Sequence, residues 1–363
     1  MAAVDGLIVS IDAMGGDNAP DAIIAGVALS RERHPYAGFQ LHGDPARLAP
    51  LVQARKILAA AKDVEIIPAR EVVGMADKPS VALRRGRETS LWRAIDAVKE
   101  GKAKAIVSAG NTGALMAMSL VQLRTMAGIS RPAIAAIWPT MRGQSIVLDV
   151  GANASADARQ LVEFAVMGEA FARSIYGLDN PSLGLLNVGT EEIKGNEHVK
   201  TAAQMLRDLK LPIDFRGFVE GDDISAGTVD VVVTDGFTGN IALKAAEGTA
   251  KLVAKYLRDA MRRSFLSKLG GFLASGAFNT LRMKMDPRSV NGGVLLGLNG
   301  IVVKSHGSAD ALSFATAIDL AIDLVKHGLT EKIHQDITRA APAIAAAGAA
   351  SSASPGIASP GGN

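Results

Sequence analysis

Short runs of β-branched and aliphatic residues recur along the chain, and longer segments with helical spacing separate them. The runs are apolar throughout rather than alternating in polarity, which is typical of strands buried on both faces. They lie at residues 7–12, 104–108, 145–150, 183–188, 229–235 and 301–305. The clearest helical segments are 21–33, 157–175 and 241–263. This alternation predicts an α/β fold with a mostly parallel sheet that helices cover on both sides.

Each predicted strand is followed by a turn that combines Gly with Asn, Asp, Ser or Thr. The turns are DAMGGD (12–17), SAGNTG (108–113), DVGAN (149–153), NVGTEE (187–192), TDGFTGN (234–240) and KSHGSAD (304–310). In open α/β sheets the carboxyl ends of the strands line the ligand crevice, and the helix N-terminus that follows favours an anion. Any one such turn is ordinary in an α/β protein, but six of the same kind favour one shared site.

The composition narrows the chemistry. The 363 residues include no cysteine, which excludes disulfides, thiolate metal sites and a cysteine nucleophile. Net charge is only +3, and the one basic concentration, at 258–288, lacks a nucleic-acid-binding motif, so we expect no nucleic-acid partner. The N-terminus does not resemble a secretory signal, and no apolar stretch is long enough to span a bilayer. We therefore expect a cytoplasmic protein.

The common nucleotide and hydrolase motifs are missing. No two glycines are spaced as G-x-G, and GK[ST], H-E-x-x-H and G-x-S-x-G do not occur. The six histidines, at 34, 42, 198, 306, 327 and 334, show no metal-ligand spacing. These absences disfavour a dehydrogenase or a kinase, and we expect neither a metal ion nor a cofactor. A small anion held by backbone amides fits the turns better.

Composition changes at the end of the chain. Residues 341–363 are mainly Ala, Ser, Gly and Pro and carry no charge, so we interpret them as a disordered, low-complexity tail. The alternative, an Ala-rich terminal helix, is not expected to continue beyond about Gly348. Residues 1–340 are then one catalytic domain, in which 250–290 form a helical subregion.

Seven motifs together resemble the bacterial phosphate acyltransferases of the PlsX family. They are DAMGGD (12–17), SAGNTGALM (108–116), LDVGAN (148–153), GLLNVGTEE (184–192), KGNE (194–197), TDGFTGN (234–240) and VKSHGSAD (303–310). The resemblance runs from about residue 7 to about residue 330. One departure is Thr89-Ser90, where the family commonly has two serines.

The resemblance implies a homodimeric, Rossmann-like α/β/α fold related to the phosphotransacetylase and isocitrate dehydrogenase-like folds. It also implies an enzyme that moves a fatty acyl group from acyl carrier protein to inorganic phosphate. The acyl phosphate would then supply a glycerol-3-phosphate acyltransferase in phospholipid synthesis. Members are soluble or peripherally attached to the membrane.

The predicted reaction requires a phosphate site, polarisation of a thioester carbonyl and a route for the departing thiolate. Since no cysteine can carry the acyl group, we expect bound phosphate to attack directly, although composition leaves an acyl-serine route open. Lys194 would hold phosphate or the oxyanion, and Asn240 would donate to the oxyanion or cap its helix. His306 would protonate the thiolate, with Lys304 beside it.

Further residues are predicted to bind phosphate or substrate. Asn111, Thr112 and Gly113 would supply amide and hydroxyl donors. Asp235 would orient neighbouring groups, and Asp12 would brace the turns. The full predicted binding set is Gly15, Gly16, Gly110, Asn111, Thr112, Gly113, Asn153, Gly189, Asp235, Gly236, Thr238, Gly239 and Lys244.

The segment 264–278 is apolar and is flanked by basic residues. Because acyl carrier proteins are acidic, we assign their binding to this basic rim. The predicted residues are Arg262, Arg263, Lys268, Arg282 and Lys284. The apolar residues between them would serve a dimer or a membrane contact; a dimer hairpin with a solvated basic face is the simpler alternative. For the whole protein, the alternatives are a phosphotransacetylase acting on acyl-CoA and a non-catalytic scaffold for lipid synthesis.

Overall fold

The computed structural model describes residues 6–209, 211–264, 267–268, 270, 273–276 and 292–352. Its sheet has eleven strands: β1 (Ile8–Asp12), β2 (Gly38–Gly43), β3 (Val64–Pro68), β4 (Ala105–Ser108), β5 (Ala133–Thr140), β6 (Gly143–Leu148), β7 (Ser182–Leu186), β8 (Asp214–Val219), β9 (Val231–Val233), β10 (Gly293–Leu296) and β11 (Ile301–Lys304). The helices are α1 (Asp21–Arg33), α2 (Pro45–Gln53), α3 (Lys56–Ala59), α4 (Pro79–Arg85), α5 (Ser90–Lys99), α6 (Thr112–Leu123), α7 (Ala158–Tyr176), α8 (Glu197–Asp208), α9 (Gly221–Ala226), α10 (Gly236–Arg262), α11 (Ala311–Lys326) and α12 (Leu329–Ser352). A short 3₁₀ helix, Gly86–Glu88, precedes α5.

All six predicted strands are present, and the sheet is mostly parallel as predicted. Five strands were missed. Two of these, β3 and β8, lie at the sheet edges, where partial exposure breaks the run of buried residues. The other three, β2, β5 and β10, contain or begin with Gly, or carry a Pro, and both residues weaken a strand pattern.

The sheet consists of two parallel groups that run in opposite directions. Its order is β3-β2-β1-β4-β11-β10-β5-β6-β9-β7-β8. The first five strands are parallel to one another, and so are the last four. Between them, β10 is antiparallel to both β11 and β5, and β5 is antiparallel to β6. The second group therefore runs against the first.

The register nevertheless brings the carboxyl ends of both groups to one level. Val303 near the end of β11 pairs with Val294, which pairs with Ala135, which pairs with Leu148 at the end of β6. The six glycine turns therefore start from one line across the sheet. Their directions differ: the turns after β1, β4 and β11 leave the sheet on one side of that line, and those after β6, β7 and β9 leave on the other. The prediction of one crevice edge is wrong in this respect, because sequence alone does not give strand direction.

Two apolar clusters form the core, one on each face of the sheet. The larger cluster packs α1, α2, α7, α8, α11 and α12 against one face and contains Phe39, Phe164, Phe171 and Phe314. The second packs α5, α6, α9 and α10 against the other face, around residues such as Leu115. The predicted three-layer α/β/α arrangement is therefore confirmed.

The helix α10 is only lightly held by the rest of the described chain. Of its 27 residues, just Gly236 and Gly239 are buried. Several large apolar side chains along it are exposed, namely Phe237, Ile241, Leu252, Val253 and Tyr256. Among the described helices, none combines the length and apolar character that a membrane span requires.

The predicted disordered tail begins too early in the sequence. Helix α12 continues through Ser352, and Ile344 is only 1% exposed in the core cluster that also contains Ile333 and Ile337. The helix packs along α7, and an ion pair between Arg173 and Asp336 joins the two. Burial against α7 decides the conformation here, which an uncharged composition does not indicate. Residues 353–363 lie outside the described residues.

Replacing Ile344 with Ala should lower the free energy of unfolding by about 2 to 4 kcal/mol, because a buried Ile leaves a cavity when it is truncated. Denaturant unfolding monitored by circular dichroism measures the change. Gln335→Ala, at an exposed position of the same helix, is the matched control and should change stability little. Equal stability of the two variants would contradict the packing of α12 beyond residue 340.

Candidate active site

Three of the glycine turns meet at the carboxyl ends of β1, β4 and β11. The Asp17 amide donates to the Gly307 carbonyl oxygen at 2.8 Å, which joins DAMGGD to KSHGSAD. Gly15 and Gly16 have no room for a side chain, since a Cβ at Gly15 would lie 2.9 Å from the Gly110 nitrogen and one at Gly16 would lie 2.9 Å from the Ala109 Cβ. These glycines therefore permit the three turns to pack closely together.

A buried carboxylate lies beneath these turns. Asp12 is 2% exposed and accepts a hydrogen bond from the Ser90 hydroxyl at 2.6 Å and another from the Ser108 hydroxyl at 2.7 Å. Burial raises the pKa of Asp12, while the bonds from Ser90, Ser108 and the Met14 backbone and the charge of Lys304 oppose that rise. The predicted bracing role of Asp12 agrees with these contacts. Ser90, which belongs to the Thr89-Ser90 pair that departs from the family pattern, is one of its two hydroxyl donors.

The Asn111 side chain is committed to structure. Its oxygen caps α6 by accepting from the Ala114 amide at 3.0 Å, and its nitrogen donates to the carbonyl oxygens of Gly74, Met75 and Asp77. The prediction of an Asn111 side-chain donor to phosphate is therefore not supported. Thr112 and Gly113, in contrast, are exposed in the first turn of α6, where helix N–H groups have no intrahelical partner.

Lys304 ends β11 beside the SAGNTG turn. Its ammonium donates to the carbonyl oxygen of Ser305 and, at 3.4 Å, to that of Ala109. Burial lowers the pKa of Lys304 to about 8; the carboxylates of Asp12 and Asp17 act against this, and the charge of Lys244 adds to it.

His306 lies two residues beyond Lys304. Its Nδ1 is 2.9 Å from the Ser308 hydroxyl. Burial lowers the pKa of His306, the charges of Lys244, Lys304 and Lys251 lower it further, and Glu247 opposes them. The predicted residues Lys304 and His306 thus share one turn. Lys244 comes from α10 and acts on both through its charge, while its own ammonium pairs with Glu247 at 2.9 Å. Because its lowered pKa leaves His306 mainly neutral near pH 7, it is less suited to the predicted role of proton donor.

The second group of turns is organised around another buried carboxylate, Asp149. It is fully buried and accepts five hydrogen bonds from N–H groups. One of these comes from the Asn153 side-chain amide, which also donates to the Pro132 carbonyl oxygen, while its oxygen accepts from Arg131. Because the polar atoms of Asn153 are engaged in this way, its predicted phosphate contact is not supported.

The glycines of TDGFTGN permit α10 to start against this carboxylate. A Cβ at Gly239 would lie 2.0 Å from the Asp149 carbonyl oxygen, and one at Gly236 would lie 2.4 Å from that of Asn153. Asp235 is the N-cap of α10 and accepts from the amide and hydroxyl of Thr238. These four predicted binding residues therefore serve helix initiation and packing. Asn240 is exposed within the first turns of α10 and does not cap it.

The remaining predicted catalytic residue, Lys194, lies in the loop after β7. Its exposed ammonium pairs with Glu191 at 2.8 Å, and this contact raises the pKa of Lys194. Gly189 is buried beside Lys194. A Cβ at Gly189 would lie only 2.5 Å from the Lys194 Cδ, so the lysine side chain leaves no room for one. The ends of β7 and β11 are five strands apart, or about 24 Å at the usual spacing. The described contacts thus do not unite Lys194 with Lys304 and His306.

The predicted carrier-protein residues are only partly described. Arg262, Arg263 and Lys268 are exposed at and beyond the end of α10. Arg282 and Lys284 lie outside the described residues, so their assignment stays a prediction.

Three contributors to the site went unnoticed in the sequence. Ser90 and Ser108 hold Asp12, and Asp17 is one of two carboxylates that raise the pKa of Lys304. The signal was present for Ser108 and Asp17, which stand inside glycine turns. For Ser90 no local signal exists, because its partner Asp12 is 78 residues away. The assembled cluster places Lys304 and His306 beside the turn that leads into α6, under the electrostatic influence of Lys244. Such an arrangement can bind an anion and move a proton.

Comparison with known proteins shows the family to which the chain belongs. The sequence profile of a family described as "Fatty acid synthesis protein" matches residues 7–332. The phosphate acyltransferase of Parvibaculum lavamentivorans is 57% identical over 336 residues, which cover 92% of each chain. That of Xanthobacter autotrophicus is 58% identical and covers 93% of this chain and 95% of its own.

A solved structure has the same fold. The phosphotransacetylase of Streptococcus pyogenes aligns with a TM-score of 0.60 over 89% of this chain and 95% of its own, at 19% identity. At that identity the likeness concerns the fold, which is therefore related to the phosphotransacetylase fold as predicted. The sequence identities to the two phosphate acyltransferases show the family as well as the fold, because more than half of the positions are identical over nine-tenths of the chain. This protein belongs to the bacterial phosphate acyltransferase family, the PlsX family, and is an acyltransferase.

Proposed function

We propose that the protein transfers a fatty acyl group from acyl carrier protein to inorganic phosphate and releases acyl phosphate for phospholipid synthesis. The observation that carries the proposal is the position of Lys304 and His306 in one turn, with the Lys304 ammonium bonded to Ala109 three residues before the start of α6. The charge of Lys244 acts on both residues. Cationic side chains and helix N–H groups are what a phosphate dianion requires. The names of the relatives support phosphate as acyl acceptor.

In the proposed reaction, phosphate binds first to this cluster, where Thr112 and Gly113 offer backbone amides. A phosphate oxygen attacks the thioester carbonyl carbon, the carbon–sulfur bond breaks, and the carrier's thiolate leaves with a proton. The surrounding cations lower the barrier by stabilising the oxyanion that forms on the carbonyl. Because phosphate itself is the nucleophile, the reaction needs no covalent acyl-enzyme intermediate.

Lys304 is the better proposed proton donor to the leaving thiolate. Its pKa of about 8 lies close to the ordinary thiol value of about 8.5, so a proton passes between the two groups at little cost. His306 has a pKa below its ordinary value and is mainly neutral near pH 7. A bound phosphate dianion would raise the pKa of both groups, since a nearby negative charge favours their cationic forms.

The proposed homodimer draws support from α10. Most of this helix is exposed, including Phe237, Ile241 and Tyr256, and large exposed apolar surfaces are typical of association sites. The same surface, with Arg262 and Arg263 beyond it, would suit a peripheral contact with an anionic membrane or an acidic carrier protein. The proposed location is the cytoplasm.

The decisive test is to incubate the purified protein with labelled phosphate and either acyl-acyl carrier protein or acyl-CoA of the same chain length. We expect labelled acyl phosphate and a kcat/KM that is at least about tenfold higher with the carrier-protein donor, because that ratio needs only about 1.4 kcal/mol of differential binding. Thin-layer chromatography without hydroxylamine, which would release the labelled phosphate, separates labelled acyl phosphate from labelled inorganic phosphate.

A preference for acyl-CoA would instead favour the phosphotransacetylase-like alternative. Failure with both donors, in a protein that is folded by circular dichroism, would favour a non-catalytic scaffold. Release of carrier protein in a burst without phosphate would contradict direct attack and point to an acyl-serine intermediate.

The pH dependence tests Lys304. Its ammonium is present below a pKa of about 8 and is lost as the pH rises through that value, so kcat/KM for phosphate should fall on the alkaline side of about 8. In Lys304→Arg the alkaline fall should move beyond pH 9, because a guanidinium stays charged. Lys304→Met should lose roughly 10²-fold or more at every pH, the usual effect of removing one group that stabilises an oxyanion.

Lys62→Arg is the matched control, because Lys62 is an exposed lysine just before the amino end of β3, away from the carboxyl ends of the strands. Its profile should equal that of the unchanged protein. An alkaline fall that stays in place in Lys304→Arg would rule out Lys304 as its source.

A further inference from the structure

Four polar side chains form a row across the carboxyl ends of four adjacent strands. His42 at the end of β2 pairs in register with Asp12 at the end of β1. Asp12 is bonded to Ser108 at the end of β4, and Ser108 pairs in register with Lys304 at the end of β11. In the middle of an apolar sheet, three of these residues, His42, Asp12 and Ser108, are at most 2% exposed. The row leads from the interior to the candidate phosphate site.

The contacts within the row run from Asp12 toward the site. The Ser108 hydroxyl donates to Asp12 at 2.7 Å and accepts from the Gly110 amide at 3.0 Å, so the SAGNTG turn is fixed through Ser108. The Ser305 amide donates to the Ser108 carbonyl oxygen at 2.9 Å, which fixes the residue after Lys304. Asp12 thus fixes the SAGNTG turn through the Ser108 hydroxyl, and a backbone bond keeps that turn beside the residue that follows Lys304.

The charges around the row are unevenly distributed. Lys304 faces Asp12 from β1, Asp17 from the turn after β1, and Lys244 from α10, with His306 on its own turn. At the opposite end, burial and the charge of Arg93 on α5 lower the pKa of His42 to about 4. Neither ring nitrogen of His42 has a hydrogen-bond partner among the described residues. His42 therefore offers Asp12 no hydrogen bond. Asp12 and Lys304 instead act on each other, since the charge of Lys304 lowers the pKa of Asp12 and the charge of Asp12 raises the pKa of Lys304.

We propose that Asp12 is a positioning residue that keeps Lys304 in its cationic, phosphate-binding form while fixing the neighbouring SAGNTG turn through Ser108. The proposal rests on the proposed function only in taking phosphate as the ligand of Lys304. Its physical basis is the cost of burying an ammonium: without a compensating anion, a buried lysine releases its proton. The carboxylate lies two strands away, about 10 Å between Cα atoms, with only Ser108 between.

The test compares pH profiles of kcat/KM for phosphate in Asp12→Asn and Ser108→Ala. Loss of the Asp12 charge should lower the pKa of Lys304, and the alkaline fall should move down by about one pH unit, the smaller end of the effect of a nearby charge. Ser108→Ala removes one hydrogen bond but keeps the carboxyl group with its bonds from Ser90 and the Met14 backbone, so its activity should drop and its fall should move less than in Asp12→Asn. His42→Leu, at the neutral end of the row, should leave the fall in place.

Two further variants isolate the electrostatic effect. In a Lys304→Arg background, Asp12→Asn should no longer move the alkaline fall, because the guanidinium cannot lose its proton in this range. The amide nitrogen of Asp12→Asn would face two hydroxyl donors, so this variant could fail to fold. Asp12→Ser, which has a smaller side chain, is then the second variant, and the position of its alkaline fall is measured in the same way.

Phosphate binding measured by titration calorimetry at pH 6.5 and pH 8.5 separates this inference from the proposed reaction. We expect Asp12→Asn to weaken binding at least about fivefold more at pH 8.5 than at pH 6.5, since an ammonium shifted by one unit is mainly neutral at the higher pH. Equal weakening at both pH values would reduce Asp12 to a structural brace and overturn the proposal. Phosphate binding without acyl transfer would overturn the proposed function while leaving the role of Asp12 intact.

Discussion

The antiparallel pairings of β10 and β5 hold two oppositely directed half-sheets at one register, and the position of every candidate site residue depends on that register. Val303, Val294, Ala135 and Leu148 form one row, so the ends of β11 and β6 are level although their directions are opposed. A slip of one residue would turn the side chains of one half to the wrong face. The buried apolar faces of both halves therefore fix the geometry of the site as well as the core.

Each half-sheet carries one buried carboxylate at its carboxyl end, and the two are stabilised differently. Asp149 accepts five N–H groups and serves its own turn and the start of α10. Asp12 accepts two serine hydroxyls from elements distant in sequence and acts electrostatically on Lys304. The five N–H donors of Asp149 fix the loop around it, whereas the serine hydroxyls on Asp12 join α5 and β4 to the end of β1.

The long helix α10 connects the two halves of the site. It begins against Asp149 in the second group of turns, yet its Lys244 influences the pKa of Lys304 and His306 in the first. Eight residues of helix, about 12 Å in length, separate Gly236 from Lys244. The remainder of the helix is largely exposed, so one element contributes both to the candidate site and to the surface most suited to association.

The alternation of strands and helices, the six principal strands and the chemistry of the turns can be predicted from sequence, because continuous apolar runs and glycine-rich turns are local signals. The sequence also indicates Lys304 and His306, which stand in one turn. Strand direction, and with it the separation of Lys194 from that pair, depends on tertiary contacts, because pairing between distant strands leaves no local trace. The same limit explains Asn111, Asn153, Asp235 and Gly239: their residue types suit an anion, but their neighbours in space use them for capping and close packing. The role of Ser90 and the continuation of α12 through Ile344 also could not be predicted from sequence, since they depend on contacts with Asp12 and α7, which are distant in sequence.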